Sequence, residues 1–390
     1  MLRLKIVKLA FPIFGILVFP AFFFFFNSGN RSLHHQQGGA SYVRYERARI
    51  IQVSSESLTK DPYLKGRYRG VQELQVKLLT GEHSGEVHTL QNYLSPLHNV
   101  HAKAGMDVIV SVDTAAPGIY QVSVYNYYRI PIIYLFLLFF LGSLWWVGGL
   151  KGLQAIAGLV FTLICIAFLL IPMLYQGYSP ILASVLIVIL ATVVTLFTIT
   201  GWSSKTLSAI LGTTCGVVIA GIISGIFGHL AHLSGLNTPE AETLLVIASA
   251  THLKVGALLF AGVLIASLGA VMDVAMSIAS SVYEIYEANP QLSKEALFTS
   301  GLHVGRDMMG TMANTLILAF TGTSLNSLLL IYSYKVNYHQ FMNMNLIGIE
   351  IIQGMAGSTA IIWTVPIIAF IAARLIPAFY KETPFTTDDL

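Results

Sequence analysis

Charge is what this sequence has least of. Only 11% of its 390 residues are Asp, Glu, Lys or Arg, where soluble globular chains carry about 25%. The formal net charge is only +3, which gives no sign of a nucleic-acid partner. Cysteine is nearly absent. Cys165 and Cys215 are the only two. Both lie inside apolar runs, and no C-x-x-C occurs, which argues against disulfide stapling and a structural zinc site. Enzyme signatures are missing too. There is no G-x-x-x-x-G-K-[ST] phosphate loop, no H-E-x-x-H and no G-x-S-x-G. Neither an enzymatic activity nor a cofactor is expected.

What the sequence does have is apolar length. It is 55% hydrophobic, with a mean hydropathy of +0.70, which belongs to a polytopic membrane protein. Arg3, Lys5 and Lys8 precede an apolar stretch of about twenty residues, long enough to span a bilayer. No A-x-A site follows it, so residues 1–27 read as an uncleaved signal anchor. From Tyr127 onward apolar runs recur, at about 129–149, 152–174, 180–200, 206–232, 254–280, 305–332 and 350–376. With the anchor these make about eight transmembrane helices.

Orientation follows from the basic residues. Lys151, Lys205, Lys294, Arg306, Arg374 and Lys381 fall on the side of the N-terminus. Only Lys335 breaks the pattern. The positive-inside rule then puts both termini in the cytoplasm of a cytoplasmic-membrane protein. In the run at 206–232, Gly212 and Gly216 oppose Gly221 and Gly225 across the helix. That spacing predicts a helix approached closely on both sides.

Residues 28–128 are different. Short alternating runs, "ARIIQVSS", "VQELQVKLL", "EVHTLQNY", "MDVIVSVD" and "IYQVSVYNYY", predict five strands, with "TGEHSG" as a hairpin turn. This predicts a small extracytoplasmic all-β domain between helices 1 and 2, an OB- or SH3-like barrel. His83, His88, His98 and His101 read as surface or turn residues. The membrane domain then covers 129–380 and a cytoplasmic tail 381–390.

The polar residues of the apolar half are patterned. In "GAVMDVAMSIASSVYEI", Asp273, Ser277, Ser280 and Glu284 fall within about 60° on a helix and form a stripe about 16 Å long. In "GLHVGRDMMGTMANTLILAFTG", His303, Asp307, Thr311, Asn314 and Thr321 share a face beside Gly310. A weaker third stripe holds Glu350, Gln353, Gly354, Gly357 and Thr364. A carboxylate near the bilayer centre costs about 2.5–3.5 kcal/mol on insertion scales. The three stripes are therefore expected to converge on a shared interior. Oxygen-rich clusters of this kind suit hard cations or proton relays. Asp273 and Asp307 are the metal-ligand candidates. The competing reading is that these groups glue helices together.

The strings "IASLGAVMDVAMSIASSVYEI" and "LFTSGLHVGRDMMGTMANTLILAFTGTSLNSLLL" resemble the YibE/F-like family of bacterial integral membrane proteins. "YYRIP", "GGLKGL" and "IPMLYQGYSPI" agree with the same pattern. The resemblance runs from about Tyr127 to about Leu330, and the preceding β-domain is similar to that of YibE-type members. It implies the fold and the membrane location. It covers Asp273, Ser277, Ser280, Glu284, Gly305, Arg306, Asp307, Gly310, Thr311, Asn314 and Thr315, without giving them roles. It also implies a YibF-type membrane partner, with a homo-oligomer as the other assembly.

The expected function is a permease-like secondary transporter of a small polar or cationic solute, with divalent cations first. Asp273, Ser277, Ser280, Glu284, Asp307, Thr311, Asn314 and Glu350 would contact the solute or ion, and Arg306 would pair or gate. The alternative is a membrane assembly or sensing component, whose β-domain binds a partner and whose polar faces form a subunit interface.

Overall fold

A computed structural model describes residues 43–116, 119–238 and 240–380. The expected anchor at 1–27 and the tail at 381–390 lie outside the described residues. The chain divides into two compact units, with the boundary near Ser143.

The first unit holds five antiparallel strands: β1 (Val43–Lys60), β2 (Tyr68–Leu78), β3 (Val87–Leu94), β4 (Asp107–Ala116) and β5 (Ile119–Tyr127). Each expected run becomes one strand. The order is β3-β2-β1-β4-β5. β1 is long because it serves two partners. Its first half pairs with β4, from Val43 opposite Asp113 to Arg49 opposite Asp107. Its second half continues alongside β2 as far as Lys60 opposite Tyr68. Register shifts between Ile50 and Gln52 and between Val53 and Ser55 bend it, as bulges do. The sheet curls until its two edge strands meet, with Tyr120 of β5 at 3.0 Å from His88 Nε2 of β3.

Alternation fills the interior. Leu74, Val76 and Leu78 point inward with Ile50, Leu90, Val108 and Val110, the period-2 pattern of a half-buried strand. Two polar side chains, Gln72 and Asn92, join them. Gln72 is fully buried. It donates to the Ala102 carbonyl at 3.1 Å and accepts from the Ala102 N–H at 3.0 Å. Asn92 Nδ2 donates to Gln72 at 3.2 Å and to the Val100 carbonyl at 2.8 Å. These bonds pin the β3–β4 connection across the end of the barrel.

After the strands the chain is helical, and the second unit begins within the first helix: α1 (Ile130–Cys165), α2 (Ile171–Tyr175), α3 (Pro180–Thr200), α4 (Ser204–Leu230), α5 (Ala241–Ala250), α6 (Leu258–Ala288), α7 (Lys294–Thr323), α8 (Leu325–Ser333), α9 (Tyr338–Met342) and α10 (Asn345–Tyr380). Among the described residues, five helical runs are long and apolar enough to cross a membrane, or six if α7 and α8, bent by 59°, count as one. The first run covers Ile130–Tyr175, about 69 Å at 1.5 Å per residue, against a hydrocarbon core of about 30 Å. It is broken at Gly149, whose φ of +55° is not helical. A Cβ on Gly152 would lie 2.1 Å from the Leu144 carbonyl oxygen, a contact that eight residues of straight helix, about 12 Å, could not make. The chain therefore turns sharply there, and the run supplies two membrane-length pieces, as the hydropathy predicted. A π-turn, Ile166–Leu170, follows in the same run. Pro172 causes it, because its ring clashes with the carbonyl four residues back.

α4, α6 and α10 form the centre. Positions for a Cβ on Gly212 and Gly216 lie against Ile368 and Thr364 of α10, and that on Gly221 against Leu264 of α6. α4 is thus approached closely at Gly212, Gly216 and Gly221, whereas a Cβ on Gly225 would meet nothing within 4 Å. α7 lies against both α6 and α10. A Cβ on Gly301 would meet Val282 and Ala369, and one on Gly305 would meet Val365 and Ile278 at 2.3 and 2.8 Å.

Two boundaries differ from expectation. α7 starts at Lys294 rather than near 305, and α6 runs on to Ala288. α5, about 15 Å long, occupies part of a segment with no predicted span.

Candidate functional site

The packing of α7 decides where its polar residues go. Leu297, Gly301 and Gly305 are its buried residues, so the opposite side is turned away from α6 and α10. That side carries His303, Arg306, Asp307 and Asn314, all exposed; Thr311 and Thr315 are exposed as well but lie nearer the packed side of the helix. Asp307 lies about 20 Å from the start of the helix. The polar face also explains why α7 passes as an apolar span only together with α8.

α6 shows the same arrangement. Its buried side holds Leu264, Val271, Val274, Ile278 and Val282. Asp273 and Glu284 are exposed on the other side, with Ser277 and Ser280 half-buried. The stripe continues through Gly262, Ala266 and Gly269, also exposed, in steps of four and three residues. The sequence reading missed this extension, because small residues in an apolar run carry no polar signal. A Cβ at Gly262 or Gly269 would have no neighbour within 4 Å.

The contacts of Gly301 with Val282 and of Gly305 with Ile278 fix an antiparallel register. Continued one for one, it sets Asp273 level with Gly310 and Asn314 level with Gly269. Asp273 and Asp307 differ in depth by about 4.5 Å, under one helical turn. Asp273, Asp307, Thr311 and Asn314 thus fall within about 10 Å of depth, while Glu284 stands about 16 Å from Asp273 along the helix. Asp273, Glu284, His303, Arg306, Asp307 and Asn314 form no hydrogen bond or ion pair among the described residues.

The third stripe behaves otherwise. Gly354, Gly357 and Thr364 of α10 are buried. A Cβ on Gly357 would touch Leu316 and Ser267, and Ser358 donates to the Ala313 carbonyl of α7 at 3.1 Å. This stripe is a packing seam. Glu350 is half-buried, and its Oε2 is buried without a hydrogen-bond partner. Gly354 faces Phe320 of α7, so Glu350 sits near the level of Ser324, about 25 Å along the axis from Asp307. It does not join the cluster. Within one chain, then, the stripes do not converge on a shared interior: two lie on open faces and one is packed. Among the described residues no three His, Cys, Asp or Glu side chains are grouped to hold a metal.

A second polar cluster lies in the β-domain. Tyr120 donates to Glu86 Oε2, His83 Nδ1 is 3.2 Å from Glu86 Oε1, and His88 Nε2 is 3.4 Å from Glu86 Oε2. Tyr120 stacks on His83 at 3.9 Å. The Tyr120 hydrogen bond, then that of His83, holds the Glu86 carboxyl below its usual range. Glu86 in turn pushes the Tyr120 phenol up to about 12. His83 and His88 are thus turn and strand-edge residues that help latch β3 to β5. Asp107 takes Arg49 Nε at 2.7 Å and is also paired with Arg47. Those guanidiniums, Arg49 first, depress its carboxyl.

The comparisons agree with this architecture. No curated protein and no solved structure matches the chain. The model of the YibE/F family N-terminal domain matches residues 41–127, the β-domain. The model of the YibE/F-like protein matches residues 136–378, so the likeness reaches past Leu330 through most of α10. With its apolar helices, the chain is a membrane protein, and it belongs to the YibE/F-like family.

Proposed function

We propose that the protein is a non-enzymatic, permease-like secondary transporter of the cytoplasmic membrane, moving a small polar or cationic solute, with a divalent cation first. One observation carries this reading: Asp273, Asp307, Thr311 and Asn314 of α6 and α7 stand within about 10 Å of one another in depth, well inside membrane-length helices, with no side-chain partner among the described residues. Buried charge at such depth is costly unless it meets an ion, a counter-charge or water. Oxygen ligands of this type suit hard cations. Asp273, Asp307, Thr311 and Asn314 would contact the solute, and Ser277, Ser280, Glu284 and Arg306 would line the approach. Glu350 stands outside this group. In this reading both termini would be cytoplasmic and residues 28–128 outside, as the positive-inside rule suggests for Lys151, Lys205, Arg374 and Lys381.

The test is flux of Mn²⁺ or Mg²⁺ in proteoliposomes. Asp273→Asn and Asp307→Asn should each reduce it to the protein-free rate while the protein stays folded. Flux that persists in both variants removes the assignment.

A second reading has its own support, because the two faces are open in the single chain rather than enclosed. The protein would then be an assembly or sensing component, the β-domain binding an envelope partner and the polar faces seating a YibF-type subunit. That reading predicts stable co-purification of such a partner, lost when the faces are altered.

A further inference from the structure

We infer that a second copy of this chain covers the α6 and α7 faces, so that the polar path lies between two subunits. The interface uses the same faces as the transport reading, but it stands on packing and charge alone.

Acyl chains cannot cover these faces, since they offer nothing to Asp273, Asp307 or Asn314. The chain's own N-terminal apolar segment offers no more, because residues 9–26 contain no hydrogen-bonding side chain. The cover therefore has to be polar and helical. The surface itself meets that description. Its α6 half is acidic, with Asp273 and Glu284, and narrow, with Gly262, Ala266 and Gly269 leaving open space for a close neighbour. Small residues at such spacing let helix backbones approach in membranes. Its α7 half carries a cation, Arg306, with His303 one turn away. In the α6–α7 register Arg306 is level with Ser277, between Asp273 and Glu284 in depth.

Two copies inserted in the same direction are related by an axis along the membrane normal, which preserves depth. A two-fold interface is self-complementary. The partner's α7 then brings its Arg306 to a depth between this chain's two acids, about 6 Å from the level of Asp273, and the reverse. With Asp307 counted, the seam carries more negative than positive charge, which favours a cation there.

Cysteine cross-linking of the full chain in native membranes tests this. The exposed Cys215 is first replaced by Ala. Gly269→Cys and Ala266→Cys are then treated with a flexible bismaleimide, and Leu182→Cys, on an exposed apolar face of α3, serves as control. The expected result is a species of twice the 42.5 kDa chain for both α6 variants and none for the control. It should contain both tags when two differently tagged copies are co-expressed. No doubled species from either α6 variant, a product containing a different protein, or equal cross-linking at Leu182→Cys would each overturn the inference. Cross-linking in a protein that carries no cation flux would leave the interface standing and remove the transport reading. Flux without cross-linking would do the opposite.

Discussion

In the β-domain, Asp61 is held by Arg69 at 2.6 Å, Asp107 by Arg47 and Arg49, and Glu82 by Arg44 at 2.6 Å. Most of these guanidiniums are half in water, which would have solvated both partners anyway. In the helical region Asp273, Arg306 and Asp307 have no such partner among the described residues, although each sits on a helix of membrane length. The chain satisfies its polar groups where that is worth little and leaves them open where it is worth most. The polar pairs of the β-domain therefore serve its own closure. The unpaired groups of α6 and α7 point to something outside the single chain.

Substitutions can break or sharpen this contrast, and the largest effects should erase it. Leu74 in the barrel and Leu264 between α4 and α6 are both fully buried. Leu74→Ala and Leu264→Ala should each cost about 2–5 kcal/mol, the usual range for a buried leucine. Hydrogen exchange of peptides from each region of the purified protein would read both. Unequal losses would mean that the two cores differ in packing, not only in polar chemistry.

Next in size is the buried amide. Gln72→Ala would strand Asn92 and the Ala102 N–H inside the barrel. A buried group left unsatisfied costs about 1–3 kcal/mol. Exchange should rise first in the 95–106 connection. A loss spread evenly over all five strands would show that the amide pair does not serve as a local pin.

Much of this architecture was legible in the sequence, and the exceptions have physical causes. The strands showed through period-2 alternation and the spans through hydropathy, because in both cases burial sets the pattern. The start of α7 did not show. Lys294 to Arg306 reads as a polar connection, yet Ser293 caps a helix there, accepting from the Ala296 N–H at 3.2 Å, with Glu295 in the first turn. The bend at Ser324 was equally silent. For the candidate site, three-and-four spacing revealed that the polar residues share faces. It could not say which way the faces turn. That depends on Gly301 and Gly305, which pull the other side of α7 onto α6 and α10. The α10 stripe had the same spacing and turned inward, because its glycines were the side that packed.

The smallest effects separate the two regions most sharply. Asp107→Asn removes the charge that Arg47 and Arg49 hold, and for a partly solvated pair the loss at pH 7 should be at most about 1 kcal/mol. Because the folded state lowers the Asp107 carboxyl below its unfolded value, its contribution is complete above about pH 4 and fades as pH falls through the folded value. Wild type and variant should therefore converge in acid, at any protein concentration. Asp273→Asn should behave differently. In chains dissociated by dilution in detergent it has no partner to lose, and its effect should stay within about 0.5 kcal/mol, as for an ordinary surface position. In assembled chains the same change removes a counter-charge for the partner's Arg306, so stability should fall only as concentration rises. A loss at Asp273 that ignores concentration would place its partner inside the chain and end the contrast.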